Sequence, residues 1–223
     1  MRPLTPEPEE ERRANARPDL LVGQHFPPPP QQERSRRKRD ALLQSALALF
    51  AERGYEETSI EEMARQAGVA VGGFYQHFAS KRQILLVLMD HLLQKASLLT
   101  LETKSANLPD IRDGIAHLIR QAFQVDWGYA GAYRAWREAA VLDRELQGLQ
   151  HQIEAWTARQ LALLFQALLQ VPGARPGVNR EILAWELALL LLRLAETPLA
   201  EPDAVVASLT SLIYHSLFTD NME

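Results

Sequence analysis

The stretch GVAVGGFYQHFASK, Gly68 to Lys81, taken with the Thr58-Ser59 pair ten residues before it, limits this chain more than any other feature. Ser59 followed by Glu62 has capping-box spacing, in which a hydroxyl takes an orphan helix amide and a carboxylate reaches back to the cap. Thr58 with Glu61 offers the same one residue earlier, so a helix starts here. Its apolar positions Ile60, Met63, Ala64 and Ala67 share one face at helical spacing, and Gly68 follows, where a left-handed residue ends a helix. Only Val69 separates that glycine from the next helix, so the two helices cross steeply. Phe74 and Phe78, four apart, anchor the second helix to a core and leave Ala70, Val71, Gly73, Tyr75, Gln76 and His77 facing outward. Ser80 with Gln83 repeats the capping spacing and puts Lys81 in the first turn of a third, longer helix, beside free amides that suit a phosphate.

From Arg39 to Leu85 this pattern resembles the TetR family of one-component bacterial regulators: a helix, a Gly-aromatic turn at Gly54-Tyr55, Thr-Ser, an apolar helix, AGV, and Tyr-x-His-Phe before Ser-Lys. The resemblance implies a DNA-binding head. Thr58, Tyr75, His77 and Lys81 would meet phosphates and Ala70, Val71, Gly73 and Gln76 would face bases, with Arg39 and Ser59 as further candidate DNA contacts beside them. The chain departs from the family where Ala70, Val71 and Gly73 stand, positions at which Ser, Lys and Thr are common. Few hydrogen-bond donors then remain for base edges. Val71 suits a thymine methyl and Gln76 an adenine edge. Gly72-Gly73 either packs closely on the preceding helix or lets backbone approach the duplex.

Net charge is −4 over 223 residues, an odd sign for a partner of nucleic acid until it is divided. Residues 33–82 hold nine Lys and Arg against seven Asp and Glu, whereas residues 83–223 hold eleven against sixteen. The basic share sits with the motif. Residues 1–34 carry eight of the thirteen prolines and read as a flexible, solvated extension in which only Leu20, Leu21, Val22 and Phe26 form a cluster able to dock. The run Arg34, Arg36, Arg37, Lys38 and Arg39 then reads as a phosphate-contacting arm ahead of the first helix, or as a solvated flank.

Beyond the head, residues 35–82, helical periodicity predicts an all-α body over 83–223. Helices are expected near 36–53, 80–102, 110–125, 130–147, 149–170, 179–196 and 202–218, with a turn at Gly128. Eight aromatics stud residues 84–196, and stripes of this kind serve as core or as the wall of a cavity. The family resemblance implies a ligand cavity within the body, for which Phe123, Trp127, Tyr133, Trp136, Trp156, Phe165 and Trp185 are the candidate rings and His117 and Glu138 the candidate polar anchors. The last two helices, one apolar nearly all round and one striped by Val205, Leu209 and Leu212, suit a homodimer through a four-helix bundle.

These readings amount to a ligand-responsive regulator, expected to repress from a palindromic double-stranded DNA operator as a homodimer and to release it on binding a largely apolar small-molecule effector. An enzyme or an adaptor built on the aromatic cavity is the alternative. Motifs for metal hydrolysis, phosphate loops and nucleophile elbows are missing, so no cofactor, metal or catalytic residue is expected. With no cysteine and no apolar run approaching a membrane span, a cytoplasmic protein without membrane contact is expected.

Overall fold

The computed structural model describes residues 15–101, 107–195 and 201–219. Among them lie eight helices: α1 Glu33–Arg53, α2 Ile60–Gln66, α3 Val71–Tyr75, α4 Lys81–Ala96, α5 Leu108–Ala140, α6 Arg144–Leu168, α7 Arg180–Ala195 and α8 Pro202–Leu217. A lone antiparallel bridge joins Ala174 to Phe218, and no strand appears among the described residues. No helix there is long and apolar enough to cross a membrane.

Short-range chemistry starts most of the helices. Ser59 caps α2, Ser80 caps α4, Asn107 caps α5 through the Asp110 amide at 2.8 Å, Asp143 caps α6, and Asn179 takes the Ile182 amide at 3.1 Å at the start of α7. Against the expected ranges, two boundaries moved. Residues 110–125 and 130–147 are not two helices: α5 runs unbroken for 33 residues, roughly 50 Å at 1.5 Å per residue. Gly128 is an interior helical residue, and the chain turns instead at Val141–Leu142, ahead of the Asp143 cap. The glycine that matters is Gly131, where an added Cβ would lie 2.6 Å from the Leu47 carbonyl oxygen and 2.7 Å from Ala51 Cβ. It lets α5 lie directly on α1. Helix α4 stops at Ala96, where the Ser97 hydroxyl donates to Gln94 O and the next two amides fold back on Lys95 and Ala96. The expected continuation to Glu102 ends outside the described residues.

Two cores result. One gathers Phe50, Phe74, Phe78, most of α4, Tyr133, Trp136 and the first half of α6; the other joins Ile111–Phe123 of α5 to Phe165 and Leu168 of α6, and to α7 and α8. Helices α4, α5 and α6 pass between the head and the body.

The segment read as a flexible extension is, from Asn15 on, laid along α4; residues 1–14 lie outside the described residues. Leu20 is buried in the first core, and Leu21 and Phe26 pack against it. Polar ties follow the same path: Arg17 pairs with Asp90, the Gln83 amide donates to His25 O at 2.7 Å, and Arg82 donates to Gln24 at 3.3 Å. Periodicity does not register such a strap, because its apolar residues answer to a groove and not to a repeat of its own. The basic run also lies inside α1 rather than ahead of it, with Arg37 paired to Glu33 one turn back at 3.1 Å.

Candidate functional site

The head is a helix-turn-helix built as its local chemistry dictates. Ser59 Oγ accepts from the Glu62 amide and Glu62 Oε2 accepts from the Ser59 amide, each at 3.2 Å, so the capping box closes in both directions. Gly68 takes φ 66°, the left-handed value that a side chain resists, and Val69 N returns to Ala64 O at 2.9 Å. Helix α3 follows at once. Phe74 and Phe78 pin it, both fully buried with ring centroids 5.8 Å apart. Its outer side shows Ala70, Val71, Gly72, Tyr75 and Gln76, with Val71 38% and Tyr75 50% exposed.

Around this face the charge is positive. Arg34, Arg36, Arg37 and Lys38 are exposed along the first turns of α1, and the Arg39 guanidinium lies 5.1 Å over the Phe78 ring. His77 sits beside them. Its pKa is lowered, first by burial and then by Arg39 and Lys38, and its Nδ1 has no partner. A neutral imidazole ringed by cations gains a proton more easily once an anion arrives. Lys81, at the first position of α4, donates to Tyr55 O at 2.5 Å and lies 4.2 Å from the centre of the Tyr55 ring.

At the other end of α4 the body encloses a cavity of about 250 Å³. Met89, Leu92, Leu93 and Ala96 of α4, the middle of α5, one face of α6 that includes Ile153, Trp156 and Leu161, Leu191 and Leu192 of α7, and Ile213 of α8 contribute to its wall. Phe123, Tyr133, Trp156 and Phe165 supply its rings; Ser97, Thr157, Gln160 and Asp126 are polar members. Burial pushes the Asp126 carboxyl up to about 7. Nothing cationic offsets that penalty, since no Lys, Arg or His lines the cavity among the described residues. The Trp156 indole N–H is buried without a partner as well.

Residues 42–88 match the family model described as bacterial regulatory proteins, tetR family. The helix-turn-helix head is thus similar to the N-terminal domain of that family. The chain is 30% identical over 105 residues to the HTH-type transcriptional regulator HbdR of Aromatoleum sp. (strain CIB), covering 47% of this chain and 42% of that protein; the chain thus spans less than half of that relative. In fold it is similar to NalD, the secondary repressor of the MexAB-OprM multidrug efflux pump in Pseudomonas aeruginosa, with TM-score 0.57, 24% identity, and coverage of 85% of this chain and 100% of that one. It is also similar in fold to SmeT, solved in complex with triclosan, with TM-score 0.61, 18% identity, and coverage of 82% and 93%.

On the head, the structure leaves Ala70, Val71, Tyr75 and Gln76 outward and Arg39 and Gly73 half-buried. At Gly73 an added Cβ would come within 2.5 Å of the Val69 side chain, whereas Gly72 is open, so the pair divides the two roles between its members. Four expected DNA contacts are engaged or buried within the fold, Lys81 through its bond to Tyr55 O. Thr58 is buried and its hydroxyl donates to Gly54 O at 2.7 Å; the Ser59 hydroxyl is spent on the cap; His77 is 6% exposed and reaches the surface only if its surroundings shift. A residue that ends a helix or closes a turn satisfies backbone first, and that demand outranks an external partner.

In the body the cavity joins Phe123, Tyr133, Trp156 and Phe165 of the expected rings. Trp127 stands one layer back, stacked on Phe123 at 5.4 Å and 4°. Trp136 is not in the wall: it is fully buried in the first core, its indole donating to Gln150 Oε1 at 2.8 Å. Trp185 is 44% exposed on the outside of α7, and His117 is exposed on α5. Glu138 belongs to the joint between head and body, where its two oxygens accept the amides of Tyr55 at 2.6 Å and Glu56 at 3.0 Å. Gly54, at φ 84°, makes room for it, since a Cβ there would lie 2.5 Å from the same carboxylate. Asp126 is the polar group that sequence reading passed over. Its signal was present, a lone acid three residues after Phe123 and so on the same helix face.

Proposed function

We propose that this chain is a ligand-responsive transcriptional regulator, acting as a repressor that binds a palindromic operator as a homodimer and leaves it when a largely apolar small molecule fills the body. The observation that carries this reading is the single helix α4, which has Lys81 of the head at one end and the cavity-lining Met89, Leu92, Leu93 and Ala96 at the other. A ligand that prefers a shifted α4 moves the head by its differential affinity and no more. Paired heads must match half-sites about one helical turn, or a multiple, apart, so a small tilt is enough. NalD is a repressor by its description and SmeT holds triclosan in its solved complex, which supports both halves of the reading.

Dimerisation is supported by an outer stripe on α7. Ile182, Trp185 and Leu189 recur at helical spacing, 57%, 44% and 51% exposed, with Leu190 next to them and Leu212 of α8 at 48%. Sealing these side chains against a second copy removes them from water and sets the two heads side by side.

The test is selection of genomic fragments by the purified chain, followed by titration of the selected duplex at several salt concentrations. Lys81→Ala should weaken every site alike and lower the salt slope by about one unit, whereas Gln76→Ala should change the preferred sequence. If no fragment is enriched over random DNA, the operator reading fails.

A further inference from the structure

We propose that the cavity is built for a lipophilic cation, a protonated amine carried on an aromatic or aliphatic body, with Asp126 as its counter-ion. The inference rests on reading the cavity as the effector site and specifies what kind of molecule enters it. Three observations converge. Asp126 is the one charged side chain in the wall among the described residues. The nearest-lying cation of the adjoining α4, Lys95, is held elsewhere, 5.1 Å over the Tyr129 ring. And four rings, Phe123, Tyr133, Trp156 and Phe165, share the wall with the acid.

A buried carboxylate without a partner is costly, and the cost falls away when a cation joins it in the same low-dielectric space. Ring faces attract cations further, the more so where water is excluded. A neutral ligand of equal shape gains neither term. An anionic acyl group is disfavoured, because it must either face the carboxylate or force it to stay protonated.

Isothermal titration of the full chain at pH 8 with three probes of one shape decides the matter: 1-naphthylmethylamine, 1-naphthylmethanol and 1-naphthoate. The amine should bind about tenfold or more tighter than the alcohol, with naphthoate weakest. In Asp126→Asn, the amine should fall to within about twofold of the alcohol, whose affinity should hardly change, since only the charge is removed. An alcohol that binds as well as the amine overturns the inference, as does an amine preference that survives in Asp126→Asn, or a failure of all three probes to bind. Operator affinity measured in parallel separates the two readings. Release by the alcohol alone overturns the cation and leaves effector control standing. A chain that never binds operator but keeps its amine preference supports the cation and sinks the repressor.

Discussion

The first core and the cavity that borders it treat their polar groups in opposite ways. In the first, which holds the head, α4, the second half of α5 and the start of α6, charged and polar side chains are tied across elements distant in sequence. Glu138 takes two amides of the α1–α2 turn, Arg82 holds Asp143 and Glu145 at 2.8 Å each, and Gln150 joins Trp136, Tyr133 and Glu154. In the cavity, Asp126 stands in an apolar wall that offers it no cation. The tied half is fit to move as one piece; the open half has something to gain from a guest. Because α4, α5 and α6 both build the first core and line the cavity, a change of filling reaches the head as a displacement of rigid helices.

Truncation at equivalent depth is the strongest way to break that contrast. Trp136→Ala removes a fully buried ring and strands the Gln150 carbonyl, so it should destabilise the fold by roughly 3–5 kcal/mol. Leu161→Ala, in a wall that already faces empty space, should cost only about 1 kcal/mol, since little packing is lost. Urea unfolding of the two variants measures both. Equal losses would mean that the cavity is filled and stiff like the rest of the interior. The next effect is a matter of close approach. Gly131→Ala drives a methyl into the backbone of α1 at Leu47 and should cost about 2 kcal/mol by overpacking, while Gly128→Ala, with open space around it, should be neutral or slightly stabilising.

How much of this could be read from the chain follows from the range of the forces involved. The head was legible almost to the residue, because caps, the positive-φ glycine and the paired phenylalanines act within about five positions. Helix α5 was misread as two because a glycine in a helical pattern has two meanings, turn or close contact, and only the position of α1 tells which. Glu138 and Trp136 were assigned to a ligand because ring and acid chemistry is the same in a core, a joint or a cavity. Their partners, Tyr55 at a distance of 83 residues and Gln150 across the α5–α6 turn, are set by tertiary packing alone. Leu20 gave no periodic signal at all. It is held by a groove that exists only once α4 has packed.

The open half should reveal itself in its pH response. Asp126 has a pKa raised from 3.8 to about 7 by burial, so its neutral form is favoured in the folded state. A raised carboxyl contributes its stability in full below the unfolded value and loses it as pH climbs through the folded one, here across the window from about 4 to 7. Asp126→Asn lacks this loss. The variant should therefore gain on the native chain by about 1–2 kcal/mol between pH 5 and pH 8, an amount below the full shift because solvent reaches the cavity mouth. Denaturant midpoints at the two pH values give the number. Parallel curves would mean that Asp126 is paired or solvated.

The smallest effect tests whether the strap belongs to the tied half. Arg17 and Asp90 form an ion pair with side chains 29% and 11% exposed, between the strap and the middle of α4. The partial burial of Asp90 makes loss of its partner more costly than an ordinary surface pair, so Arg17→Ala should destabilise by about 1 kcal/mol, or roughly 2–4 °C in Tm for a chain of this size. Arg17→Ala combined with Asp90→Asn should recover part of that, because the stranded charge is gone. Leu20 anchors the same strap by apolar burial, which adding salt does not screen, whereas the Arg17 contribution should fall as ionic strength rises. A loss in Arg17→Ala that is the same at low and high salt would assign the strap's hold to Leu20 alone. A loss that salt removes would place Arg17 among the ties that make the upper half a single body.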